Sequence, residues 1–177
     1  WQVDTWRLWR LRVALTQWND WQAESIIAEY PTQVLSSQRQ MNIWIVYYEF
    51  SYLIDASYWF EQALASDSNN VKARTNMGVV QADLWEFIMA KEFLEQARVL
   101  DPTDTTIQLN LASILGDLAY QQRLEWLEAT VYVSQALEIV AWLIEKNPKN
   151  YEAVLYKWVL YYENSQYWQA VETFKRI

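Results

Sequence analysis

The sequence predicts an all-α protein, an α-solenoid of about ten helices stacked as antiparallel hairpins. Three observations predict it. The turn cluster Asp67-Ser68-Asn69-Asn70 is followed, 34 residues on, by Asp101-Pro102-Thr103-Asp104. The small–large–small set Ala56, Phe60, Ala63 becomes Ala90, Leu94, Ala97 at the same step. Asn42, Asn76 and Asn110 repeat at that step again. A fixed period of this length with two amphipathic segments per period marks a repeat array, in which each hairpin covers the apolar face of its neighbour.

Residues 3–18 read as a helix, with Trp6, Trp9, Val13 and Leu15 or Trp18 at three- and four-residue steps and Asp4 as an N-cap. Asn19-Asp20 breaks it. A second helix follows from Trp21, with Ala23, Ile26, Ile27 and Tyr30 on one face, and Pro31 ends it because proline lacks the amide donor. This hairpin, 3–36, is the divergent first unit of a single array spanning 1–177. Unit 37–70 holds helices over 39–50 and 54–66, and unit 71–104 is the clearest hairpin. In unit 105–150 the first helix covers 106–118. The small–large–small set reappears as Ala129, Val133 and Ala136, five residues late, and the closing proline, Pro148, later still. That spacing predicts a longer connection near 119–125 and a second helix extended to about Lys146, carrying Val140, Leu143 and Ile144 into the core. The last hairpin, in 151–177, is 151–163 with 167–175.

Composition excludes whole classes of chemistry. There is no Cys and no His, so disulfides, thiolate nucleophiles, Cys/His zinc sites and histidine-based triads are absent. Gly78 and Gly116 are the only glycines, too few for a phosphate-cradling loop. Asp67–Asn70 and Asp101–Asp104 lack the ligand spacing of a calcium loop. A carboxylate pair such as Glu49 with Asp83 is the only general acid–base candidate, and without His, Cys or a phosphate loop the expectation is no catalysis, no catalytic residues, no cofactor and no metal. A net charge of -8 disfavours nucleic acid, and the missing Lys/Arg-rich face disfavours membrane binding. No signal peptide or spanning segment is seen, which makes the cytoplasm the expected compartment. Opening on Trp1 rather than Met reads as a trimmed chain or a fragment. Twelve Trp and twelve Tyr suggest an engineered or designed variant, or selection for an aromatic surface.

Met77-Gly78, Ala90, Leu94, Ala97 and Pro102 in the clearest unit, with Tyr161, Tyr167, Ala170 and Phe174 in the last, resemble the tetratricopeptide repeat. The resemblance covers 37–177 well and 3–36 poorly. It implies a right-handed solenoid with the first helix of each hairpin on a concave face and the second on the outer face. It also implies a non-catalytic protein–protein interaction scaffold. Where the family places glycine at the helix–helix contact this chain has Trp44, Gly78, Ala112 and Trp158, so a tryptophan there must overpack or turn outward. Where the hairpin turn favours glycine it has Ser51, Trp85 and Ser165, each of which faces a cost for left-handed backbone.

Two candidate surfaces follow. The resemblance places Asn42, Ile45, Tyr48, Glu49, Lys72, Thr75, Asn76, Val79, Asp83, Asn110 and Ser113 in the concave groove. Amides there can both donate to and accept from a peptide backbone, which suits a peptide or partner helix of apolar or amphipathic character. Lys72 is the one base at a matching place, too few for a clamp on a C-terminal carboxylate. The alternative is a structural or self-assembling role, a homo-oligomer joined by outer aromatic and apolar residues: Trp59, Trp85, Met89 and Trp168, with Ile88 and Trp142 beside them.

Overall fold

Turn chemistry cuts the chain into helices. Asp67 and Asp101 each accept through Oδ1 from a backbone N–H two residues on (Asn69 and Thr103, both at 3.1 Å), and Asn147 does the same for Lys149. Three residues after each stands an N-cap. Asn70 and Asn150 accept from the amides of Ala73 and Ala153, and Asp104 from those of Thr106 and Ile107. One residue closes a helix and the other opens the next, satisfying donors that a helix end leaves without partners. Asn19 caps in the same way, accepting from Gln22.

A computed structural model describes residues 2–17, 19–29, 37–49, 52–124 and 129–175. The described residues form ten helices and no strands. They run α1 (Gln2–Thr16), α2 (Asp20–Ala28), α3 (Ser37–Glu49), α4 (Leu53–Ser66), α5 (Val71–Asp83), α6 (Phe87–Leu100), α7 (Thr105–Leu124), α8 (Thr130–Lys146), α9 (Tyr151–Glu163) and α10 (Tyr167–Phe174). The expected stop at Pro31 and the turn residue Ser51 lie outside the described residues, and Asp4 falls inside α1 rather than before it. The helices divide into two compact units, Trp1–Leu84 and Trp85–Ile177.

In the first unit α1 packs on α2 and α3, α3 on α4, and α4 on α5. Its core holds Leu11, Ile26, Ile43, Val46, Ala56, Phe60, Ala63, Ala73 and Val80, all fully buried or nearly so. Alanines at 56 and 63 leave room for a neighbouring helix to approach, and Phe60 fills the space between them. Trp59, expected on the outer surface, is buried with 7% exposure and meets Tyr58 edge-on at 5.5 Å. The reason is helical phase: 56, 59, 60 and 63 form one stripe, and that stripe faces inward.

In the second unit α6 packs on α7, α7 on α8 and α9, α8 on α9, and α9 on α10. Here the extended repeat departs from expectation. The helix expected to end at 118 continues to Leu124, so the predicted connection is largely helix. Ala136, Val140 and Leu143, at 0–1% exposure, occupy the places that Ala90, Leu94 and Ala97 hold one repeat earlier. They also keep the same spacing to Pro148 that the earlier set keeps to Pro102. Ala129 and Val133 instead pack with Ala119 in a separate cluster flanked by Tyr132 and Leu137. The insertion therefore adds turns to both helices, which cover each other.

Trp85 and Ser165, in equivalent hairpin turns, both have left-handed backbone, with φ of 65° and 58°. This is the conformation glycine adopts freely and an L side chain adopts at a cost of about 1–2 kcal/mol. Trp158 does not crowd its hairpin. Its ring is half-exposed, stacked on Tyr162 at 5.4 Å and tilted over Phe174 at 6.0 Å. Phe174 is 58% exposed, because no following helix covers it among the described residues.

Candidate functional site

Helical phase builds one solvent-facing surface in the first unit. On α5, Lys72, Asn76, Val79 and Asp83 are exposed or half-exposed, whereas Ala73, Met77, Val80 and Gln81 are buried. On α3, Asn42, Ile45 and Glu49 form the matching stripe, and Ile43, Val46 and Tyr47 point inward. Steps of three and four residues hold each stripe on one side of its helix. The two stripes correspond at 34 residues: Asn42 with Asn76, Ile45 with Val79, Glu49 with Asp83. Each offers an amide, then an aliphatic side chain, then a carboxylate. The Asn76 side chain makes no hydrogen bond among the described residues, which leaves both its donor and its acceptor open.

The acidic end of these stripes is tied down. Glu49 takes a forked pair of bonds from Arg12 on α1, Nε to Oε2 at 2.8 Å and Nη2 to Oε1 at 3.2 Å. That contact holds the Arg12 guanidinium above its ordinary pKa. Tyr48 donates from Oη to Asp83 Oδ2 at 2.8 Å, bridging α3 to α5. Burial and the bond to Asp83 push the phenol up to about 12, so it stays a neutral donor at any physiological pH. Both ties are half-exposed, and contacts of this kind contribute about 0–1 kcal/mol each. Their effect is to fix where the side chains point. Glu49 and Asp83, weighed as a catalytic pair, are each committed to a separate partner.

Thr75 does not line this face. It is buried, and its hydroxyl donates to the Val71 carbonyl one turn back at 2.9 Å. Asn110 and Ser113 lie on α7, in the second unit. Asn110 is half-buried with no side-chain hydrogen bond among the described residues. The outer candidates separate. Trp85, Met89 and Trp168 are exposed at 78%, 49% and 72%, and Trp59 is not.

The second unit carries a side-chain contact between α7 and α9. Tyr156 stands where asparagine stands in the earlier repeats, once the longer unit is allowed for. Its Oη reaches across from α9 and donates to the Ser113 carbonyl on α7 at 3.0 Å. Gly116 makes the room, since a Cβ there would come within 2.5 Å of that oxygen. Burial holds the Tyr156 pKa far above its usual value, and the charges of Asp117 and Glu163 add to this. Arg123 on α7 donates to the Glu163 carbonyl and, at 3.3 Å, to Oε2 of its carboxylate on α9. Asp117 extends the acid series Glu49, Asp83, and its own pKa is raised, by burial first and by Glu163 second. A raised carboxylate pKa means the folded state holds its proton more tightly, so Asp117 costs stability as the pH rises from the ordinary carboxylate value through the raised one, and the loss is complete above it.

Among the described residues, no group of three or more acidic residues could hold a metal ion. None of the described helices is long and apolar enough to cross a membrane.

The backbone is similar over nearly its whole length to solved structures of MamA. The chain aligns with MamA AMB-1 at a TM-score of 0.71 and 15% identity, covering 96% of this chain and 94% of that one. It aligns with MamA MSR-1 at 0.70 and 13%, covering 98% and 93%, and with a MamA RS-1 double mutant at 0.73 and 13%, covering 98% and 91%. The fold is that of a tetratricopeptide-like helical-repeat protein. No protein-family model and no curated protein matches the sequence.

The Tyr156–Gly116 contact is open to a double-mutant cycle. Gly116→Ala should destabilise the protein by about 1–3 kcal/mol through the enforced shift of a rigid ring. Tyr156→Phe should cost about 0.5–1.5 kcal/mol for the lost bond. In the Tyr156→Phe background the alanine should cost clearly less, measured by urea unfolding, because the atom it strikes is gone. Additive costs would show that the two residues do not meet.

Proposed function

We propose that the protein is a non-catalytic interaction scaffold that holds an amphipathic peptide or partner helix on the α3–α5 face of its first unit. The observation that carries this reading is the pair of matching solvent-facing stripes, Asn42–Ile45–Glu49 and Asn76–Val79–Asp83. Repeated amides address a peptide backbone, Ile45 and Val79 suit apolar side chains between them, and Lys72 adds one positive charge at the edge. The ties at Glu49 and Asp83 keep the face arranged before a ligand arrives, which lowers the ordering cost of binding. A displayed peptide library panned on the native protein tests this. Selected peptides should lose about tenfold or more in affinity with Asn42→Ala plus Asn76→Ala, the loss expected for one or two hydrogen bonds, while the thermal transition stays in place. Binders that treat the native protein and the double variant alike would contradict it.

One observation favours a second reading, self-association through the α9–α10 hairpin. Trp158, Tyr162 and Tyr167 form a run of ring contacts at 5.4 and 5.7 Å, and Tyr162, Tyr167, Trp168 and Phe174 are all more than half exposed. Exposed aromatic patches of this kind mark interfaces. Sedimentation should then show association that rises with concentration and weakens with Trp168→Glu. A strict monomer at high concentration would rule it out.

A further inference from the structure

In the second unit α6 and α8 both pack on α7. A cavity of about 210 Å³ opens where the three helices meet. Leu111 and Leu115 on α7, with Ile139 on α8, close its inner end, and all three are buried. Its walls are polar: Glu95 and Arg98 from α6, Gln135 and Glu138 from α8. Three-residue steps bring each polar pair to the cavity side of its helix.

Arg98 is the residue out of pattern. It stands three places before Asp101, the C-cap of α6. The same place before the C-cap Asp67 holds Leu64, and before the C-cap Asn147 it holds Ile144. Two second helices thus carry an aliphatic side chain where α6 carries a guanidinium. A residue that breaks the local rule of its own repeat points to a task other than packing. Arg98 is half-buried and has no hydrogen bond or ion pair among the described residues. Gln135 and Glu138 are exposed, and neither has a partner among the described residues. Glu95 is held by Lys91 at 3.1 Å. Arg98 and Glu138 therefore line one cavity without pairing with each other.

That arrangement selects the ligand. A guanidinium fork matches a carboxylate through two parallel bonds. The Glu138 carboxylate and the Gln135 amide oxygen accept from an ammonium. A phosphate on Arg98 would be repelled by Glu138 and Glu95, and an amine alone would leave the guanidinium without a partner. A molecule with both a carboxylate and an ammonium answers both walls and brings no net charge. Volume limits its size. The cavity is smaller than the roughly 300 Å³ at which pockets for drug-sized ligands begin and larger than the cavity of about 150 Å³ that takes up benzene. A free amino acid falls in that range.

We infer that the α6–α7–α8 cavity is a binding site for a free zwitterionic α-amino acid, with its carboxylate on Arg98 and its ammonium on Glu138. The site lies in the second unit and does not depend on the α3–α5 face binding a peptide.

The test uses the full chain. The common α-amino acids are titrated one at a time and followed by NMR shifts of α6 and α8. At least one should bind saturably. Its decarboxylated amine and its deaminated acid, each with one of the two charged groups, should bind at least tenfold more weakly. Arg98→Leu installs the side chain of an earlier repeat and should abolish binding with the thermal transition unchanged or raised. Arg98→Lys keeps a positive charge in the last turn of α6 but not the fork, and should weaken binding about tenfold. Glu138→Gln should do the same. No saturable shift with any amino acid, equal binding of the deaminated acid, or undiminished binding by Arg98→Leu would overturn the assignment. So would a native chain that binds no amino acid and loses thermal stability with Arg98→Leu, which would make Arg98 a packing residue of α6.

Discussion

Close helix approach at small residues is the constraint the rest of this molecule depends on. Ala56, Ala63, Ala90, Ala97, Ala136 and Ala170 all sit at 0–2% exposure on the second helix of their hairpins. A larger side chain at any of them would push two helices apart. The big residue between them, Phe60 or Leu94, then closes the space that remains. With that side of each helix committed to packing, the opposite phase of the first helices is left to solvent, and the α3 and α5 stripes are that phase. The face proposed to bind is thus the geometric complement of the core.

Polar contacts then sharpen what packing places roughly. Glu49 is held by Arg12 and Asp83 by Tyr48, both at the carboxyl ends of first helices. In the second unit the equivalent region uses a different solution. Tyr156 replaces the asparagine, reaches over Gly116 to the Ser113 carbonyl, and Arg123 grips Glu163. The repeat position that carries Asn42 and Asn76 in the first unit thus serves helix-to-helix attachment in the second.

Much of this was legible in the residues, and the failures have physical causes. The turns announced themselves, because Asx side chains at the first and fourth places of each tetrad perform a fixed task. The extended repeat was misplaced because Ala129, Val133, Ala136 and Ala136, Val140, Leu143 share the same four- and three-residue spacing of apolar positions, seven residues apart. Seven residues is two helical turns, so the two sets lie on one face and local pattern cannot separate them. The distance to Pro148 does. Trp59 was assigned outward because second-helix positions of the family often face solvent, although its phase matched Ala56 and Ala63.

Phe60 and Phe174 bring the central claim to a single comparison. They hold equivalent places in their hairpins, yet one is fully buried and the other 58% exposed. Stability here comes from coverage by a neighbouring helix, so the same substitution should have different costs at the two sites. In urea unfolding, Phe60→Ala should lose about 3–5 kcal/mol, the range for a large core truncation, and Phe174→Ala less than about 1 kcal/mol. Equal losses at the two positions would contradict the account.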